Sequence, residues 1–212
     1  MAGRRLRPRL PRRRLLERTR RLAHHHRRRL GRADRPALAG LTPVPVPTDL
    51  PAAREPGRYR IALVCLGNIC RSPTAHVVLE SRLADAGLDD RVEVASSGTG
   101  GWHVGNPMDP RAAATLTTAG YDPSRHRARQ YDATWPEAYD LVLVMDEANL
   151  ADVGGRTPRV GMFRDLDPVD PGGEVPDPYY GGDDGFEEVL AMVERTSDAI
   201  VAALPRALEG PA

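Results

Sequence analysis

Two periods of apolar residues alternate along the chain from residue 59 onward. Short apolar runs at residues 61–64, 92–95, 141–145 and 159–163 have the length and β-branched content of strands, and the first, I-A-L-V, lacks polar alternation, which predicts burial on both faces. Between and after them, residues 73–86, 109–119, 147–153 and 184–204 repeat apolar positions every three or four residues, the helical period. Strands separated by helices cannot be joined as tight hairpins, so this succession predicts parallel βαβ units.

Four such strands make an α/β fold, a flavodoxin-like doubly wound four-stranded parallel sheet with helices on both faces. Ligands of such sheets lie beyond the carboxyl ends of the strands, where the strand order reverses. Residue 65, at the end of the first strand, meets that condition.

Ahead of residue 58 the periodicity is lost. Residues 1–60 hold 18 arginines against 4 acidic residues and the rest of the chain 12 against 25, so the net charge of +1 conceals two oppositely charged segments. The first opens R-R-L-R-P-R-L-P-R-R-R at residues 4–14 and passes into T-P-V-P-V-P-T at residues 42–48. Self-repelling charge and repeated proline predict a disordered Arg/Pro-rich extension over residues 1–57, at most locally helical near residues 15–23. A folded domain over residues 58–206 and a tail at 207–212 complete the division. The arginines of residues 4–35 suit a polyanion such as nucleic acid, polyphosphate or an anionic membrane, held through counterion release. The plainer reading is a solvated tail, or a start codon assigned too far upstream. The segment has no serine and no apolar run long enough for a signal peptide or a transmembrane segment. Adjacent His24, His25 and His26 lack the spacing of a metal site, and the chain predicts neither metal nor cofactor.

Residues 65–73 read C-L-G-N-I-C-R-S-P and form the strand-to-helix turn. Ser72 at the N-cap place and Pro73 at the first helical position would aim the helix's unpaired N–H groups into the loop, an arrangement that binds anions. Cys65 and Arg71, with five residues between them, bracket a cradle. Across Leu66, Gly67, Asn68, Ile69, Cys70, Arg71 and Ser72, backbone N–H groups and the Arg71 fork can surround one anionic group facing the sulfur. A phosphate fits. The same positive field suits a nucleophilic sulfur, predicting attack of Cys65 on phosphorus. Asn68 readily takes a left-handed backbone, which turns neighbouring N–H groups inward. A dinucleotide-type turn would need several glycines, and only Gly67 is present.

With C-x5-R-S at residues 65–72 and D-P-Y-Y at residues 177–180, the chain resembles the low-molecular-weight protein tyrosine phosphatases over about residues 59–204. The resemblance implies hydrolysis of phosphotyrosine in protein substrates through a cysteinyl-phosphate, with Cys65 as nucleophile, Arg71 on the phosphate and Asp177 as acid and later base. Physical chemistry agrees on the need: a phenol of pKa about 10 leaves poorly, so a positioned acid is worth about 10²- to 10⁴-fold. Asp177 precedes a proline in a glycine-rich loop and is therefore extended, but Glu174, Asp183 and Asp184 are near enough in sequence to compete for the role. The resemblance also implies Trp102, Tyr179 and Tyr180 as walls for the substrate ring, Ser96 and His126 as supports of Asn68, and Ser72 as hydrogen-bond donor to the departing sulfur. Asp109 and Arg111 begin the next helix, with Asp109 as its cap ahead of Pro110.

Two related chemistries remain to be weighed. Arsenate reductases of this fold use two further cysteines outside the first loop, whereas Cys65 and Cys70 are the only cysteines in this chain. Phosphoarginine phosphatases carry threonine where Ile69 stands, and an apolar side chain there suits an aromatic ring instead. The resemblance implies that Cys70 captures oxidised Cys65 as a reversible disulfide; the plainer reading is a small residue packed beneath the phosphate. Two cysteines rule out a disulfide framework and suit a reducing cytoplasm.

Overall fold

A computed structural model describes residues 50–209. Residues 4–35, expected to suit a polyanion, the histidine tract and residues 15–23, where local helix was expected, lie outside the described residues.

The elements in order are β1 (Tyr59–Cys65), α1 (Arg71–Asp85), β2 (Val92–Gly98), α2 (Pro110–Thr118), α3 (Trp135–Ala138), β3 (Leu141–Val144), α4 (Glu147–Asp152), β4 (Val160–Met162), a 3-10 turn (Pro178–Tyr180) and α5 (Asp184–Glu209). All strand pairings are parallel and the sheet order is β2-β1-β3-β4, the doubly wound arrangement expected from the alternation. The period of two splits β1 between two cores. Ile61 and Leu63 join Leu79 and Leu83 of α1 and Val193, Ile200 and Leu204 of α5 on one face. Ala62 and Val64 meet Val142, Val144, Val160 and Met162 on the other, closed by Leu150 and the partly buried Trp135 and Tyr139. Helices cover both faces, which is why the run carries no polar position. Each fully buried aliphatic side chain of this kind contributes about 1.5–3 kcal/mol.

The N-terminus of α1 departs from expectation. The helix begins at Arg71 with Cys70 as N-cap and no side-chain capping bond, so Ser72 lies inside the first turn and is not the cap. Its hydroxyl is used by the loop instead. At the other end the helix stops as predicted at Gly87, whose φ of 65° is left-handed and lets the Leu88 N–H reach back to the Leu83 carbonyl at 2.9 Å. Asp109 caps α2 as expected, accepting the Arg111 N–H at 2.8 Å, with Pro110 in the first turn. Helix α3 was not expected, because four residues are too few for a helical period to register; Trp135 packs there against Tyr131 and Tyr139.

Both ends of the domain extend past their predicted limits of 58 and 206. Helix α5 continues to Glu209 through Pro205, burying Ala207 and Leu208. Residues 50–57 pack against it. The Ala53 and Gly57 N–H groups donate to the Ala207 and Leu208 carbonyls at 2.9 and 3.0 Å, supplying partners that a helix C-terminus lacks. Tyr59 donates its hydroxyl to the Pro51 carbonyl, and Asp140, just before β3, accepts the Arg54 and Arg60 N–H groups. Charge and proline content set the expected boundary too late because these contacts use backbone groups, which composition does not register.

Candidate active site

The strand order reverses beside β1, and Cys65 is the last residue of that strand. The loop that follows is folded tightly around the sulfur. Asn68 has the one positive φ among the described non-glycine residues, 52°, and this left-handed turn directs its N–H at Cys65 Sγ, 3.2 Å away. Ser72 Oγ lies 3.0 Å from the same sulfur. The Asn68 side chain, fully buried, donates to Ser72 Oγ at 2.9 Å and accepts the Arg129 N–H at 2.8 Å. His126 Nε2 donates to the Asn68 carbonyl at 2.8 Å. That bond requires a protonated Nε2, and burial pushes the His126 pKa down to about 4, so the ring stays neutral at physiological pH.

Ser96, expected beside Asn68, is turned elsewhere: its Oγ meets His76 Nδ1 at 3.1 Å, and His76 in turn reaches Glu80. The serines that serve the loop are Ser72 and its neighbour Ser97, whose carbonyl lies 3.2 Å from Ser72 Oγ. Ser97 acts through its carbonyl, a backbone group that residue type does not announce, while the Ser96 hydroxyl is taken up by His76 of α1. Gly98, next in β2, is required by close approach. A Cβ there would stand 2.7 Å from the Leu66 carbonyl oxygen and 2.9 Å from the Asn68 nitrogen.

Arg71 is buried and held by carboxylates on both sides. Its Nη1 donates to Asp146 Oδ2 at 2.5 Å and its Nη2 to Asp177 Oδ2 at 2.8 Å. Burial opposes the charge, but Cys65, Asp146 and Asp177 outweigh it and raise the guanidinium pKa. Asp146 escaped the sequence reading. It is also the N-cap of α4, accepting the Asn149 N–H at 2.7 Å, and an aspartate immediately after a buried strand and before a helix was the signal available.

Cys65 and Arg71 open onto a cavity of about 240 Å³, lined also by Leu66, Gly67, Ile69 and Cys70, by Trp102 and His103, and by Asp177, Tyr179 and Tyr180. Trp102 and Tyr180 are largely exposed at its rim, and His103, which was not foreseen, also lines it. Asp177 caps the 3-10 turn, accepting the Tyr179 N–H at 3.1 Å on its second oxygen. Its competitors are placed differently: Glu174 accepts the Glu147 N–H at 3.0 Å, and neither it nor Asp183 nor Asp184 lines the cavity. Cys70 is buried and unpaired, and burial followed by the Asp109 and Cys65 charges pushes its thiol up to about 12.

A buried thiol that receives an N–H, an arginine beside it and a carboxylate thus share one aromatic-rimmed mouth at the end of β1, the groups a phosphate-handling enzyme requires. Residues 60–209 match the family model described as low molecular weight phosphotyrosine protein phosphatase, and the chain belongs to that family. It is 46% identical to the low molecular weight protein-tyrosine-phosphatase of Streptomyces coelicolor, over 73% of this chain and 98% of that protein. It is 44% identical to low molecular weight protein-tyrosine phosphatase A of Mycobacterium tuberculosis, over 63% of this chain and 84% of that protein. Among solved structures, YfkJ of Bacillus subtilis superposes with a TM-score of 0.66 at 29% identity, covering 73% of this chain and 98% of that one. Wzb of Vibrio vulnificus, solved with benzylphosphonate, gives 0.59 at 26% identity, covering 68% and 98%.

Proposed function

We propose that this phosphatase hydrolyses phosphotyrosine in proteins through a cysteinyl-phosphate. The observation that carries the reading is the cavity itself, with Cys65 and Arg71 buried at its base, Asp177 on its wall and Trp102, Tyr179 and Tyr180 around the opening. Cys65 Sγ attacks phosphorus as the P–O bond to the phenol breaks, and Asp177 gives its proton to the departing oxygen. Arg71 and loop N–H groups hold the equatorial oxygens, where charge is carried through the transition state. Water, deprotonated by Asp177, then attacks phosphorus and releases phosphate, while Ser72 Oγ, 3.0 Å from the sulfur, donates to the departing thiolate. Ile69 lines the cavity with an apolar side chain, and a structural relative binds benzylphosphonate, an aromatic ring joined to a phosphate-like group. Both favour an aryl phosphate over phosphoarginine.

Among the described residues no helix is long and apolar enough to cross a membrane. Two unpaired cysteines in the reactive loop support a cytoplasmic location, where thiols stay reduced. The test is turnover of phosphotyrosine peptides, phosphoarginine and arsenate in the presence of a chelator, with Cys65→Ser as control. Turnover of phosphotyrosine alone, abolished by Cys65→Ser with vanadate binding retained, is the expected result. Appreciable activity in the serine variant would overturn the covalent mechanism.

A further inference from the structure

A hydrogen-bonded circuit starts and ends in the phosphate loop. The Ile69 carbonyl accepts the Asp109 N–H at 2.9 Å. Arg111 grips the Asp109 carboxylate with Nε at 3.1 Å and Nη2 at 3.0 Å, and the same Nη2 donates to the Tyr179 carbonyl at 3.1 Å. Tyr179 N–H holds one Asp177 oxygen, and Arg71, two residues from Ile69, holds the other. The Arg111 guanidinium also lies over two rings, 5.6 Å from the centre of Tyr179 and 4.7 Å from that of Phe186. A planar fork can chelate one carboxylate, reach a carbonyl and stack at once; an ammonium cannot.

We propose that Arg111 is a positioning residue for proton transfer, fixing the Asp177 turn against the phosphate loop when substrate draws Arg71 away. The inference rests on Asp177 being the acid. A phosphate dianion entering the cradle competes with Asp177 Oδ2 for Arg71 Nη2, because both are anionic oxygens accepting from the same nitrogen. Once that bond is exchanged, the turn remains tied through Tyr179 to Arg111, which does not line the cavity and so is not displaced by the phosphate. Asp109, to which Arg111 is anchored, is buried and bonded to the loop backbone. Acid and nucleophile are thereby referenced to one frame, and general-acid catalysis depends on holding the donor within hydrogen-bond reach of the leaving oxygen.

The experiment compares Arg111→Gln, Arg111→Lys and Asp177→Ala in single-turnover phosphoenzyme formation from two substrates. One is a phosphotyrosine peptide, whose phenol needs a proton; the other is a dinitrophenyl phosphate, whose phenol does not. Both Arg111 variants are expected to slow phosphotyrosine cleavage by about tenfold, spare the dinitrophenyl substrate and inhibition by inorganic phosphate, and add no further loss on top of Asp177→Ala. Equal losses on both substrates, or full additivity with Asp177→Ala, would overturn the inference and leave Arg111 a support of the fold. An equal loss on both substrates in Asp177→Ala would instead remove the acid reading, and this inference with it. If the glutamine variant does not fold, the lysine variant, which keeps a cation beside Asp109, carries the same comparison.

Discussion

Arg71 Nη2 and Asp177 Oδ2 are 2.8 Å apart, so without a phosphate the group assigned to bind the anion is paired with the group assigned to supply the proton. Removing the carboxylate therefore has two opposite effects. Asp177→Ala is expected to bind vanadate or phosphate severalfold more tightly, because a competing anion has gone, and to cleave phosphotyrosine about 10²-fold more slowly. Arg71→Lys is expected to lose both binding and rate, since an ammonium cannot reproduce the fork. Anion titration and single-turnover kinetics on the two variants check this; weaker vanadate binding in Asp177→Ala would contradict it.

Gly98→Ala tests how closely β2 supports the loop. The added methyl meets backbone atoms, the Leu66 oxygen at 2.7 Å and the Gly67 carbon and Asn68 nitrogen at 2.9 Å, which cannot rotate aside as a side chain would. The loop must shift, and a shift approaching 1 Å is worth about 10²-fold in rate. The expected protein is folded, destabilised by about 1–3 kcal/mol and largely inactive. Thermal melting together with kcat distinguishes this from unfolding.

The neutral His126 makes stability depend on pH. Burial holds its folded pKa near 4, whereas the unfolded imidazole titrates near 6.5, so between these values the unfolded chain binds more protons. The fold is unpenalised above about pH 6.5 and loses stability as pH falls towards 4, by about 3 kcal/mol in all. His126→Gln keeps an N–H for the Asn68 carbonyl without the titration. Denaturant midpoints of the two proteins should agree near pH 7 and separate towards pH 4, with the glutamine variant the more stable there; parallel curves would exclude His126 as the source.

How far the site could be read from the sequence depended on whether a residue's role was local. Cys65, Arg71 and Asn68 were legible because a strand-to-helix turn fixes their geometry within a few residues. Asp177 was legible only through the resemblance, and its competitors were separated by placement in three dimensions. Ser72 was misread as a cap because the helix starts earlier, with Arg71 drawn inward by Asp146 and Asp177, partners 75 and 106 residues away. Ser96 was misassigned because its hydroxyl pairs with His76 of α1, and the neighbouring Ser97 reaches Ser72 only through its carbonyl. Asp146 and the Arg129 N–H come from segments distant in sequence; only the place of Asp146 between a buried strand and a helix marked it, and nothing local tied either group to the loop.

The domain boundary yields a further expectation. A chain beginning at Leu50 keeps the bonds from Ala53 and Gly57 to α5 and from Arg54 to Asp140; one beginning at Arg58 loses them and the buried Leu50 and Ala53. The shorter chain is expected to melt at least about 5 °C lower than the longer. Equal melting temperatures would restore the boundary to residue 58.

The same clasp fixes a direction. Residues 50–57 touch the starts of the strands, through Asp140 ahead of β3 and through Arg159, which donates to the Ala52 carbonyl ahead of β4. The catalytic cavity lies at the strands' far ends. Seven residues of β1 at about 3.3 Å each separate the two poles by roughly 20 Å. A surface tether or fused carrier joined at residue 50 would thus grip the molecule by its base, with the mouth pointing outward to solution, whereas attachment near residue 181 would obstruct it.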